Sequence, residues 1–190
     1  MKRSHIFHNL IPFLALALAF SSVARSTTIK PLYGSSNQTI TITIASLAAS
    51  ATVCRASTAI DNTSNLFLDA LVSGFVDVGT VAGNKQVLIF AYGTADGGTT
   101  YTGLNGANAI SGTDAGFTRS DPTDLKFLGV LGTPTNSIKM GFGPYSVAQA
   151  FGGILPDHWG IVVCNDTGAT FSGTAGNNKA WYQGVQVSVV

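Results

Sequence analysis

The sequence contains no glutamate, and all nine of its acidic residues are aspartates. Charged residues make up only 10% of the chain, against about 25% in ordinary soluble proteins. Glutamate and lysine populate the exposed faces of helices, so a shortage of such residues argues against a helical protein. The abundant glycine, threonine, serine, asparagine and valine are typical of strands joined by turns. The composition therefore predicts an all-β protein.

Basic clusters are also missing, and the formal net charge is only +1. A groove that follows a phosphate backbone needs such clusters, so nucleic acid is not a predicted partner. Cysteine is scarce too, with Cys54 and Cys164 standing far apart and without the spacing of a zinc site. In an exported protein the two could form one disulfide, and otherwise they would be separate buried thiols that pack as small hydrophobic residues.

The N-terminal segment differs from the rest of the chain. Basic Lys2 and Arg3 precede an apolar run at 10–20, and small Ser22 and Ala24 stand where a signal peptidase would read. The pattern is typical of a secretory signal, and the run is too short for an ordinary transmembrane helix. We predict a signal-like segment at 1–24, or a gene start assigned too early, with no stable membrane insertion. Residues 25–38 are predicted to be an extended arm.

Strict alternation marks the first predicted strand, "QTITITIASL" at 38–47, with isoleucines on one face and threonines on the other. Further apolar or alternating segments predict strands at 66–78, 85–93, 125–131, 137–142, 158–165 and 179–190. Consecutive strands joined by short turns, such as 66–78 with 85–93 and 125–131 with 137–142, are expected to pair. We predict that 39–190 form a single antiparallel β-sandwich of jelly-roll type with at most one short helix, at 143–153.

Residues 94–124 are rich in glycine and turn formers and predict a long loop, which is where binding usually occurs on a β scaffold. Tyr101 is the predicted exposed contact within it. Asp114, Asp121 and Asp124 are weak calcium candidates, since they lie close together but lack the order of a calcium-binding loop.

No group of residues predicts catalysis. His158 is the one histidine beyond the signal-like segment, and no serine occupies a GxSxG turn. Phosphate-binding and dinucleotide-binding fingerprints are missing as well. We therefore predict no catalytic residue, no cofactor and no enzymatic activity, and interpret His158 as a packing or surface residue.

Two segments resemble small structural proteins of tailed bacteriophages. The first follows the pattern D-N-x-x-N-L-x-L-D-x-L-V-x-G, and the second begins G-P-x-S-V-A-x-x-F-G-G-x-x-P. The resemblance runs from about residue 50 to the end and is weakest in the central loop; its two segments are Ser57–Gly74 and Phe142–Gln186. It implies a virion structural protein, with no activity or catalytic residue to carry over.

The resemblance implies capsid decoration or a tail or fibre component, with copies of itself and other virion proteins as partners. Thr39, Thr41 and Thr43 would form an assembly strand, because threonine methyl groups can pack against a neighbouring subunit. The signal-like N-terminus departs from this picture, since virion proteins assemble in the cytoplasm. The alternative is a secreted or periplasmic β-sandwich module that binds carbohydrate or a surface, for which a glycan would be the ligand.

Overall fold

The computed structural model describes residues 28–81, 85–103, 109–120, 124–132 and 139–189. The chain divides into two compact units, Pro31–Ser188 and Met1–Lys30 with Val189–Val190. Little of the second unit is described, and its described residues, Thr28, Ile29, Lys30 and Val189, are exposed. The sandwich and every site considered below belong to the first unit.

Strands dominate the described residues, which contain eleven of them and one short α-helix. The helix α1 is Val147–Ala150, begun by a hydrogen bond from the Gln149 amide to the Ser146 hydroxyl, and a 3-10 turn covers Ala175–Asn177. The strands are β1 (Ile29–Tyr33), β2 (Gln38–Ile40), β3 (Val53–Ala56), β4 (Ile60–Asp61), β5 (Asp69–Asp77), β6 (Gln86–Thr94), β7 (Ala115–Thr118), β8 (Lys126–Gly132), β9 (Lys139–Ser146), β10 (His158–Asp166) and β11 (Lys179–Val189).

The described strands form two sheets. The first has the order β1-β11-β5-β9, with β2 also paired to β11, and the second has the order β7-β3-β10-β6-β8, with β4 also paired to β10. If β2, β3, β5, β6, β8, β9, β10 and β11 are counted in chain order, the sheets read 1-8-3-6 and 2-7-4-5, the strand order of a jelly roll. The predicted all-β antiparallel sandwich with one short helix is confirmed.

Alternating burial explains how the two sheets pack. In β5 every second residue is buried, and the buried row, which includes Ala70, Val72 and Val76, faces the second sheet. Gly74 belongs to this row because the Phe142 ring occupies its side-chain space, only 2.3 Å from where a Cβ atom would stand. Alternate residues of β10, Trp159, Ile161 and Val163, complete the core from the other side.

Two predicted pairings are wrong. β5 and β6 lie in different sheets, and so do β8 and β9. The connection at 79–85 is short enough for a hairpin, but here the chain passes from one sheet to the other. Both strands have an apolar row facing the core, so their patterns alone could not distinguish a hairpin from a crossover between layers.

The outer face of the second sheet carries a second hydrophobic core. Outward residues of β3, β6 and β10 are covered by side chains from the segment predicted as a loop at 94–124 and from the residue after it. The covering residues are Tyr101, Ile110, Phe117 and Leu125, and the covered ones include Cys54, Phe90, Tyr92, Val162 and Cys164. Because one core lies on each face of the second sheet, β10 is buried at seven successive positions. We call this side of the sandwich the covered face.

Candidate functional site

The threonine–isoleucine segment is a regular strand only at its start. β2 pairs with β11 in the register Ile40↔Ala180, and the ladder ends there. The side-chain alternation continues further, with Ile40 and Ile44 buried and the three threonines between 39 and 43 exposed. Beyond Ile40 the backbone turns to other partners, and the Thr41 carbonyl accepts a hydrogen bond of 2.8 Å from the Thr58 amide. An assembly role for Thr39, Thr41 and Thr43 stays a prediction.

The side chain of Asp114 connects Thr43 with Arg55 through hydrogen bonds. The Thr43 amide donates to Asp114 Oδ1 at 3.1 Å and the Thr43 hydroxyl to Oδ2 at 2.6 Å. Arg55 Nε donates to Asp114 Oδ1 at 2.5 Å, and Arg55 Nη2 donates to the Asp114 carbonyl at 3.0 Å. Burial raises the pKa of Asp114, but the hydrogen bonds from Arg55 and Thr43 outweigh it and lower the pKa overall. Asp114 therefore holds its own segment against the segments that contain Thr43 and Arg55.

The calcium prediction gains no support. Asp114 is occupied by Arg55 and Thr43, and Asp124 accepts a hydrogen bond of 2.6 Å from the Gly103 amide. Asp121 lies outside the described residues. Across the described ranges, no group of three or more histidine, cysteine or acidic side chains could hold a metal ion. The two described aspartates fix loop geometry instead.

Tyr101 is not the exposed contact that the sequence predicts. Its side chain is only 8% exposed, and its ring meets Tyr92 edge-on at 5.3 Å. Burial, with the Asp157 and Asp96 carboxylates nearby, raises the pKa of Tyr101. Gly112 makes room for the ring, since a Cβ atom there would stand 2.8 Å from it. The tyrosine belongs to the second core.

His158 stands between two carboxylates at one end of the sandwich. Its Nδ1 lies 3.4 Å from Asp157 Oδ1, and its Nε2 lies 3.8 Å from Asp61 Oδ1. Asp157 Oδ2 also accepts a hydrogen bond of 3.0 Å from the Gly97 amide. A general base must direct a ring nitrogen at a substrate proton, and here both nitrogens face carboxylates. The arrangement links β4, β10 and the start of the covering segment.

The contact between Asp157 and His158 escaped the sequence reasoning for a simple reason. Neighbouring residues within a strand point to opposite faces, so their adjacency in the sequence does not by itself predict a contact. Asp157 precedes the first residue of β10, so this rule does not apply to it. The signal that could have found the contact is the "LP" turn at 155–156, which places Asp157 before the strand.

Cys54 and Cys164 are joined by a disulfide in the structure. They are direct partners in the β3–β10 ladder, with Cα atoms 4.2 Å apart. Both are essentially buried beneath the segment that covers the second sheet. The bond closes a loop of 110 residues, so it connects distant parts of the chain at the centre of the covered face.

The outer face of the first sheet is different, since no described segment forms a second core on it. Along β11 the outward residues include Trp181, Val185 and Val187, and β5 contributes Leu71 and Phe75. Phe75 meets Trp181 edge-on at 5.4 Å, and the Lys139 ammonium lies 3.6 Å from the centre of the Phe75 ring. Polar Gln183 and Ser73 stand among these residues on the same face, and we call the five apolar ones (71, 75, 181, 185, 187) the bare face.

The bare face ends in a two-stranded ribbon. β5 pairs with β11 only as far as Asp69↔Val185, and in the described residues β1 is the strand beside the remainder of β11. The part of β1 in the first unit is Pro31–Tyr33, and each of its side chains is exposed, including Leu32 at 50% and Tyr33 at 54%. Since neighbouring strand residues point to opposite faces, the ribbon exposes apolar surface on both sides. A two-stranded ribbon is only marginally stable by itself, so such a surface favours a partner.

Comparison with known proteins identifies no relative. No family model matches the chain, and no match to it was found among curated proteins or solved structures. Among the helices of the described residues, none has the length and apolar character needed to cross a membrane. The site must therefore be interpreted from its own geometry.

Proposed function

We propose that this protein is a structural subunit of a bacteriophage virion, used in capsid decoration or in a tail or fibre, and that it assembles through its bare face and ribbon. The observation that carries the proposal is the set Trp181, Val185 and Val187 on the outer face of β11, where Trp181 and Val185 are half-buried and Val187, beside β1, is 45% exposed. Apolar side chains that cluster on one face and stay accessible to solvent mark sites of association.

The energetics favour contact through side chains. Full burial of one large apolar side chain contributes about 1.5 to 3 kcal/mol, so a few residues suffice for association. Backbone pairing at the outer edge of β1 is less favourable, because Pro31 has no amide hydrogen to donate to a neighbouring strand. Copies of the chain would therefore meet face to face, and other virion proteins could use the same surface.

Two further points support a virion role. The jelly roll is an architecture of viral capsid domains, although it also occurs in lectin domains and does not define a function by itself. The resemblance of 57–74 and 142–186 to phage structural proteins points the same way. Both agree with a subunit that acts by burial rather than by catalysis.

The test is a pair of matched substitutions. Val187 on the ribbon is 45% exposed and Val130 on β8 is 47% exposed, so replacing either by lysine disturbs the monomer equally little. We expect Val187→Lys to shift the protein to monomers in light scattering and to abolish incorporation into purified particles, whereas Val130→Lys assembles normally. Assembly of Val187→Lys at the wild-type level would contradict the proposed surface, and absence of the wild-type chain from particles would contradict the virion role.

A second candidate function, an exported surface-binding or carbohydrate-binding module, is favoured by the disulfide. Disulfides persist in oxidising compartments, and the Cys54–Cys164 bond together with the signal-like segment at 1–24 suits secretion or the periplasm. Mass spectrometry of the native protein distinguishes the candidates. A chain that begins near Arg25 supports export, and an unprocessed chain found in purified particles supports the virion.

A further inference from the structure

A groove opens at the seam between the two sheets, where the edge strands β8 and β9 diverge. It has a volume of about 350 Å³ and is lined mainly by Phe127, Leu128, Pro144, Tyr145, Ser146 and Gln149. None of these residues belongs to the bare face, so the groove does not depend on the proposed assembly surface.

Two irregularities in the ladders create the groove. In β8 the register passes from Ile89↔Gly129 to Phe90↔Phe127, which leaves Leu128 as an extra residue. In β9 it passes from Val72↔Tyr145 to Gly74↔Phe142, which leaves one extra residue at 143–144. Bulges are concentrated at sheet edges and beside binding sites, where they redirect side chains. Here two bulges on different sheets face the same groove.

Both aromatic rings of the groove are held in place from behind. Phe127 is 55% exposed, and its ring rests edge-on against Phe90 at 5.6 Å. Tyr145 stacks on Phe142 with an interplanar angle of 9°. Tyr145 fits beneath β8 only because Gly129 lacks a side chain, since a Cβ atom there would lie 2.4 Å from the tyrosine ring. Each ring is therefore supported by a second aromatic ring, and support of this kind lowers the entropic cost of binding.

The polar lining is neutral. Gln149 is exposed, and its side-chain amide makes no hydrogen bond within the described part of the chain. None of the six main lining residues is charged, so the groove offers nothing to balance a phosphate or carboxylate. A purely apolar small molecule would need a site that encloses it, and this groove is open to solvent.

We propose that this groove binds a neutral saccharide. A sugar ring has an apolar face that can lie on Phe127 or Tyr145 and hydroxyl groups that can bond to the Gln149 amide. The open shape admits an internal segment of a longer glycan chain, which extends past the groove on both sides. The inference specifies the ligand class of the second candidate function, and it would apply equally to a virion subunit that contacts a host surface.

The test begins with the full chain and a panel of neutral oligosaccharides: β-1,4-glucan, xylan, chitin and α-1,4-glucan fragments. Titration calorimetry measures affinity, and NMR shifts of the Gln149 side-chain amide report the position. We expect at least one fragment to bind and to shift that signal. Phe127→Ala should weaken binding of that fragment about tenfold, the equivalent of about 1.4 kcal/mol. Gln149→Ala should weaken binding severalfold.

Leu66→Ala provides the matched control, because Leu66 is 73% exposed and lies outside the groove. It should bind like the wild type. Failure of every fragment to bind at millimolar concentration would overturn the proposal. So would binding that is unchanged in both Phe127→Ala and Gln149→Ala. Assembly of Val187→Lys is measured in a separate experiment. If either proposal fails, the other can therefore still be tested.

Discussion

The two outer faces of this sandwich differ in how far the described residues cover them. On the second sheet, the chain returns between 94 and 125 to build a second core over the disulfide, with Tyr101 buried at its centre. On the first sheet, the described residues leave the row from Trp181 to Val187 partly exposed and extend it into a ribbon with β1. The contrast indicates that the covered face serves stability, while the bare face is available for contact with another molecule.

Among the changes that test the difference between the two faces, loss of the disulfide should lower the unfolding free energy most. The bond closes a loop of 110 residues, and the chain-entropy estimate for a loop of that length is about 5 kcal/mol of unfolding free energy. We expect the Cys54→Ala/Cys164→Ala variant to lose about that amount in urea denaturation. Wild-type protein unfolded in the presence of a reductant is the control and should lose a similar amount. A loss below about 1 kcal/mol would mean that the bond does not secure the covered face.

A pair of aromatic truncations compares the faces directly. Tyr101→Ala removes a buried ring from the second core and should lower the unfolding free energy by about 3 kcal/mol. Trp181→Ala removes a larger ring, but one that is partly exposed, and should cost only about 1 kcal/mol in the monomer. Chemical denaturation in dilute solution, where association is negligible, measures both. Equal losses would show that the bare face contributes as much to folding as the covered face does.

The sequence predicts the strands well because alternation is a local property. The segments at 85–93, 158–165 and 179–190 match β6, β10 and β11 closely. In β11 the buried residues alternate, whereas β6 and β10 are covered on both faces and are marked by a nearly continuous apolar run. Which sheet a strand joins depends on contacts across the molecule, so the pairings of β5 with β6 and β8 with β9 were predicted wrongly. Short strands such as β3 and β7 have too few residues for a period to be recognised.

The candidate sites were harder to predict for a related reason. Tyr101, Ile110 and Phe117 are separated by glycine-rich stretches, so no period shows that they face one surface. Cys54 and Cys164 became partners only through the register of β3 with β10. The seam groove depends on bulges, and a bulge at Leu128 leaves no mark in an otherwise apolar strand.

The smallest effect concerns the acid sensitivity of the covering segment. Asp96 Oδ1 accepts hydrogen bonds from the Thr94 hydroxyl and from the amides of Thr99 and Thr100 at 2.9 and 3.0 Å. The Thr94 bond, followed by those amide bonds, lowers the pKa of Asp96 from 3.8 to about 2. Because the folded state prefers the ionised form, this group stabilises the fold above its ordinary pKa. That contribution falls as the pH drops from about 4 towards 2.

Asp96→Asn keeps an oxygen at the same place and removes the charge, so it isolates this contribution. We expect the wild type to exceed the variant in unfolding free energy at pH 5, and the difference to shrink steadily as the pH falls to 2. The aspartates Asp61 and Asp114 also have lowered pKa values and affect both proteins alike, so they cancel in the difference. A difference that stays constant or grows towards pH 2 would contradict the prediction that ionised Asp96 stabilises the start of the segment at 94–124.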